Sequence, residues 1–177
     1  MEKKVKKLFS KVPKPVDPAP RLYPNVSDND KPIYVYFEDK ELQVPIVRIS
    51  FKKEKLPFEQ RNTKEHFVND QMMMNALSQM INNRLSENSL NPKCSYMQSV
   101  VYFGDFSIAK TKAAFNVVVV AKTNVEAAVK EAMAIVAQAC KTGFMEGELS
   151  RAKDEIMSSY EKAYNERNKT NSNTVAQ

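Results

Sequence analysis

The sequence predicts an α+β fold: an antiparallel sheet with helices packed on one face. Three observations predict it. Short stretches alternate apolar and polar residues at period two. Longer stretches repeat at helical spacing. Strand candidates follow one another without a helix between them, which favours an antiparallel sheet over βαβ units. The expected order is β-β-α-β-β-α-α.

Residues 1–10 read as the end of a helix, and residues 11–32, KVPKPVDPAPRLYPNVSDNDKP, as a linker. Six of the 9 prolines lie between Pro13 and Pro32. Each proline fixes φ and removes a donor, so no regular element is expected there. This divides the chain into a helix end plus linker, 1–32, and an α+β unit, 33–177. Residues 33–37, Ile-Tyr-Val-Tyr-Phe, read as the first strand. In the second, Val47, Ile49 and Phe51 alternate with Arg48, Ser50 and Lys52, the pattern of a half-buried strand.

From about residue 63 to 87 the period changes, with Phe67, Met74, Leu77, Ile81 and Leu85 on one helical stripe. Strands are expected at 96–106 and 113–121, the latter apolar on both faces and therefore central. A helix over 124–141 opens on a Thr123–Glu126 capping pair and ends at Gly143. A last helix runs from about 146 past 168, with a narrow stripe through Leu149, Ala152, Ile156, Tyr160 and Ala163. Its Lys and Glu residues read as a solvated face with i,i+4 pairs, and Arg167, where that face ends, as a group able to reach a neighbouring domain.

At 177 residues the chain is long enough to bury a core without staples. No apolar run is long enough to span a bilayer, and the basic start is followed by prolines rather than the apolar core of a signal peptide. The formal charge is +6, with lysines at 3, 4, 6, 7, 11 and 14. Without aromatic-basic interleaving, zinc-finger spacing or a Gly-rich loop, this excess reads as a solvated helix and linker, not a nucleic-acid surface. Cys94 and Cys140 form no framework and read as small buried apolar residues.

One stretch invites a catalytic reading. Asn62-Thr63-Lys64-Glu65-His66 is one residue away from His-x-x-Glu-His, the inverted zinc-peptidase motif. That motif needs two imidazoles one helical turn apart and a glutamate that activates water. Here the first position is Asn62, whose amide is a poor zinc ligand, and the chain has 1 His. The same letters read better as a helix start, with Asn62 as N-cap and Glu65 reaching back to it. No nucleophile elbow is present either. No residue is therefore assigned a catalytic, cofactor-binding or metal role. Met72, Met73 and Met74 are consecutive on a helix, so one of them is expected to point outward and offer an apolar contact.

Three stretches together resemble pitrilysin/insulinase-type zinc metallopeptidases. KKLFSKVPKPVDPAPRLYPNVSDNDKPI is similar to the junction after that family's catalytic domain. MINNRLSENSLNP is similar to the end of a helix in the next domain, and GFMEGELSRAKDEIMSSYEKAYNERNKTNSN to its long late helix. The resemblance covers nearly the entire chain and is nearest to large two-half bacterial members. It implies the metallohydrolase fold shared with mitochondrial processing peptidase, and specifically the second domain of a half, which lacks the zinc motif. It further implies that the chain is a fragment of a longer protein, with zinc held by the preceding domain. That domain and the parent's peptide substrate would be the partners, together with self-association through uncovered apolar surface. The parent would be a zinc metalloendopeptidase of the periplasm or cell envelope, this chain itself being inactive. The alternative that the resemblance allows is an inactive family member serving as an assembly or scaffold subunit.

Overall fold

In a computed structural model, residues 2–20, 22–61, 63–106, 108–169, 171 and 173 are described, with backbone alone at Phe58. The elements run α1 (Glu2–Phe9), β1 (Ile46–Glu54), α2 (Phe58–Arg61), α3 (Lys64–His66), a π-helical segment (Phe67–Met72), α4 (Met73–Ser89), β2 (Tyr96–Asp105), β3 (Lys112–Ala121), α5 (Val125–Thr142) and α6 (Glu146–Glu166).

The sheet is antiparallel, in the order β1-β3-β2. Its central strand is the one whose sequence is apolar on both faces, as expected of a strand hydrogen-bonded on both edges. Ile49 opposes Val117 on one side, and Val101 opposes Val117 on the other. Val117, Val119 and Ala121 face α4 and α5, and are fully buried with Ile81 and Leu85. On α5 the buried positions are Ala128, Ala132, Val136 and Ala139, near i,i+4 spacing. These small side chains let the helix approach the sheet closely, so bulk from Tyr96, Val101 and Leu85 fills the layer instead. The opposite face carries Asn116, Val118 and Val120 of β3, with Val100 and Tyr102 of β2 and Arg48 and Ser50 of β1. No helix of the described residues covers it; Asn116 is buried, Val118, Val120 and Val100 are half-buried and Tyr102 is exposed.

Several expectations change. Residues 33–37 form no strand: they are extended coil, so three strands rather than four are present among the described residues. High β-propensity makes a strand only where an edge accepts it, and among the described residues no backbone bond reaches this segment. The expected helix over 63–87 is divided by the π-helical segment into a short α3 and a long α4. Asn124, not Thr123, caps α5, its Oδ1 accepting the Ala127 N–H at 3.0 Å. The last helix ends at Glu166, and of its expected stripe only Ala152 is fully buried. Cys94 is buried as expected, but Cys140 is exposed.

Polar contacts fasten the layers. Arg84 of α4 makes a two-pronged bond to Glu148 of α6, 2.6 and 2.8 Å, and donates to the Gly143 carbonyl at 3.0 Å. Glu148 also accepts the Met145 N–H at 2.8 Å, closing the start of α6. Arg84 and the Met145 amide hold its carboxyl at a pKa of about 2, against 4.5 ordinarily. Gly143 ends α5 at φ 72°, in the left-handed region that favours glycine. Beneath β2, Asn88 donates to Glu131 at 2.7 Å and to the Tyr96 hydroxyl at 3.0 Å, and that hydroxyl donates to the Leu85 carbonyl at 2.8 Å. Burial pushes the Tyr96 phenol up to about 12.

Candidate functional site

The stretch around His66 is the place to look for chemistry, because it carries the chain's 1 histidine. Thr63 opens α3: its Oγ1 accepts the His66 N–H at 3.2 Å, in the role expected of Asn62. Asn62 itself lies outside the described residues. The exchange has a simple cause. Both residue types cap helices well, and the chain enters the helix one residue later than the motif suggests. Glu65 is exposed, whereas the His66 side chain is 12% exposed and turned toward Asp70, one helical turn on.

The His66 Nδ1 lies 3.1 Å from Asp70 Oδ2. The other oxygen of that carboxylate accepts from Lys53 Nζ of β1, also at 3.1 Å. Lys53 lies 5.3 Å from the ring centre of Phe103 on β2. These groups border a cavity of about 440 Å³ that also meets Lys55, Arg61 and Gln71. Lys55 is paired with Asp105 at 2.5 Å.

This arrangement does not fit zinc. A site needs three or more donors converging on one ion. Here one imidazole and one carboxylate meet, and an ammonium already occupies that carboxylate. Among the described residues no group of three His, Cys, Asp or Glu could hold a metal. Nor do the described residues bring a Ser or Cys to the cavity beside His66, whose neighbour there is Asp70 at 3.1 Å. What the site does chemically is neutralise charge where the π-helical segment meets β1. A π-helical segment carries one residue more per turn than the bonds of an α-helix allow, and here it brings Asp70 over Lys53.

Met73 is the outward member of the methionine run, 60% exposed, while Met72 and Met74 are half-buried. A second cavity, about 520 Å³, lies between α4, β2 and α6 and is bordered by Asn75, Ser78, Gln79, Asn82, Glu155 and Tyr160. Of these, periodicity marked Tyr160 on the stripe of the last helix, but not the polar residues of α4, which sit among its apolar positions. One residue along from the Lys53–Ala113 pair, Lys112 of β3 is fully buried and bonded to Asp28 of the linker at 2.8 Å and to Glu54 of β1. Nothing in its spacing marks it, because a lysine in an apolar run reads as solvent-facing. Asp28 is held below, and Lys112 above, their ordinary ranges by their shared hydrogen bond.

Residues 1–156 match the family described as the peptidase M16 inactive domain. No curated protein matches the chain. Among solved structures, the periplasmic protease PqqL from Escherichia coli is similar over 97% of this chain, at TM-score 0.76 and 20% identity. The first half of that protease is similar over 94% of this chain, at TM-score 0.72 and 21% identity. The chain spans 18% of the complete protease and 35% of its first half. At these identities the structural likeness establishes a shared fold.

Proposed function

The chain belongs to the peptidase M16 family, matching its inactive domain, and from that premise we infer that it serves as a non-catalytic wall of a peptidase. It packs beside a zinc-bearing domain and helps enclose the peptide that domain cleaves. The observation that carries this reading is the state of His66. The family's chemistry needs a second imidazole one turn away, and here the lone imidazole faces Asp70, already bonded to Lys53. The sheet supports the same reading. One face is used by α4 and α5, while the other, which the linker meets at Lys112 and Lys52, has no described helix over Val100, Val118, Val120 and Tyr102, which supports a role in bordering a chamber. No helix of the described residues is long and apolar enough to cross a membrane. Likeness to a periplasmic protease supports the reading that the parent works in the periplasm.

The test is peptide cleavage by the parent protein with zinc. His66→Ala should leave cleavage unchanged, and Val118→Arg on the open face should weaken it mainly through KM. The chain alone should cleave nothing. Zinc-dependent cleavage by the isolated chain, or its loss from the parent with His66→Ala, would overturn the reading. A parent inactive with zinc would favour an assembly subunit.

A further inference from the structure

The stretch expected to be the first strand and the outer edge of β1 are two halves of an interaction left unmade within one chain. Residues 33–37 are all large, β-branched or aromatic, and 73–89% exposed. Five such residues in a row have the highest strand propensity and the highest cost of standing in water. No backbone hydrogen bond reaches them among the described residues.

β1 is an edge strand. The Pro45 carbonyl and the Lys55 N–H both bond toward β3. Successive residues of a strand point their backbone groups to opposite sides. The N–H and C=O groups of Ile46, Arg48, Ser50 and Lys52 therefore face outward, and no described backbone group meets them. Such an edge is a template for another strand. Charge also matches: the outward positions of β1 include Arg48 and Lys52, while the exposed segment runs into Glu38, Asp39 and Glu41.

The segment is tied at both ends near its own β1 and yet lies off it. Before it, Asp28 is bonded to Lys112 at 2.8 Å and the Ser27 carbonyl accepts from Lys52 at 3.5 Å. After it, a turn closes through Asp39, whose carboxylate and carbonyl accept from Glu41 and Leu42, and Pro45 stands directly before β1. We propose that residues 33–37 of one chain add as a strand to the β1 edge of a second copy, and reciprocally, joining two sheets about a two-fold axis. The same two surfaces are present on each copy, so one self-complementary contact satisfies both edges. This does not rest on the peptidase reading.

Size-exclusion with light scattering on the chain at tens of micromolar should give twice the monomer mass of 20.2 kDa. Val35→Pro removes a donor from the added strand. It should halve the mass while leaving the helical far-ultraviolet signal unchanged, because residue 35 lies outside every helix. Val35→Asp should do the same, so the result does not depend on one variant's folding. Glu38→Lys with Glu41→Lys should weaken the dimer, and Met73→Gln should not. Hydrogen exchange at residues 46, 48, 50 and 52 should be slow in the wild type and fast in Val35→Pro. A wild-type monomer at that concentration, with slow or fast exchange at β1, overturns the proposal. So does a dimer that survives both Val35 variants, or one that Met73→Gln abolishes.

Discussion

Asn82 grips the backbone of Val101. Its Nδ2 donates to the Val101 carbonyl at 2.9 Å, and its Oδ1 accepts the Val101 N–H at 2.7 Å. One side-chain amide thus stands where a neighbouring strand's peptide group would be, on the outer edge of β2. It fastens α4 to the sheet and closes that edge at its middle, whereas the edge of β1 has no such guard. Asn82→Ala should cost about 2 kcal/mol, because it leaves a donor and an acceptor short of partners in a partly buried place. Urea unfolding checks this, and Asn82→Asp should also destabilise, since it keeps the acceptor but loses the donor.

Arg84 and Glu148 make stability depend on pH. The Glu148 carboxyl titrates at about 2 when folded, against an ordinary 4.5. A depressed folded pKa means that the unfolded chain binds the proton first on acidification. The contribution is complete above about pH 4.5 and is lost as pH falls toward 2. Glu148→Gln should therefore flatten the stability curve between those values in thermal scans. Arg84→Ala should cost about 2 kcal/mol at neutral pH through lost charge-assisted bonds.

Two caps carry measurable helix stability. Thr63→Ala removes the acceptor for the His66 N–H, and Asn124→Ala the acceptor for the Ala127 N–H. Each should lower unfolding free energy by about 1 kcal/mol. The sites share no partners, so the double variant should be additive within a few tenths of a kcal/mol. Chemical denaturation of the four proteins checks both statements.

Zinc should not bind the chain stoichiometrically. Metal analysis after dialysis should find far less than one zinc per chain, and His66→Ala should not change it. Asn62→His should not create cleavage, since among the described residues no third ligand stands near His66.

The packing layer demands little space from α5. Ala132 is fully buried against the sheet, so Ala132→Leu should overpack the layer and cost roughly 1–3 kcal/mol. Ala134, exposed on the same helix, should accept the same change within about 0.5 kcal/mol.

What the sequence by itself determined is whatever local pattern and composition control. Unbroken apolar character made β3 central, alternation made β1 half-buried, and helical spacing put Ile81 and Leu85 of α4 in the core. One histidine without a partner imidazole excluded the zinc motif. Other outcomes were decided by tertiary structure, because they depend on groups far apart in the chain. Residues 33–37 have every local property of a strand, but a strand exists only when a second backbone lies beside it, and among the described residues of one chain none does. Lys112 looks solvent-facing until Asp28, 84 residues away, and Glu54 of β1 meet its ammonium. Asn82 is an unremarked polar residue on a helix until β2 brings Val101 beneath it. Asp70, in the π-helical segment, accepts from Lys53 of β1 and lies 3.1 Å from His66, a meeting that depends on two elements far apart in the chain. Capping shifted by one residue at two helices, since several good caps stood side by side and only the path of the chain chose between them.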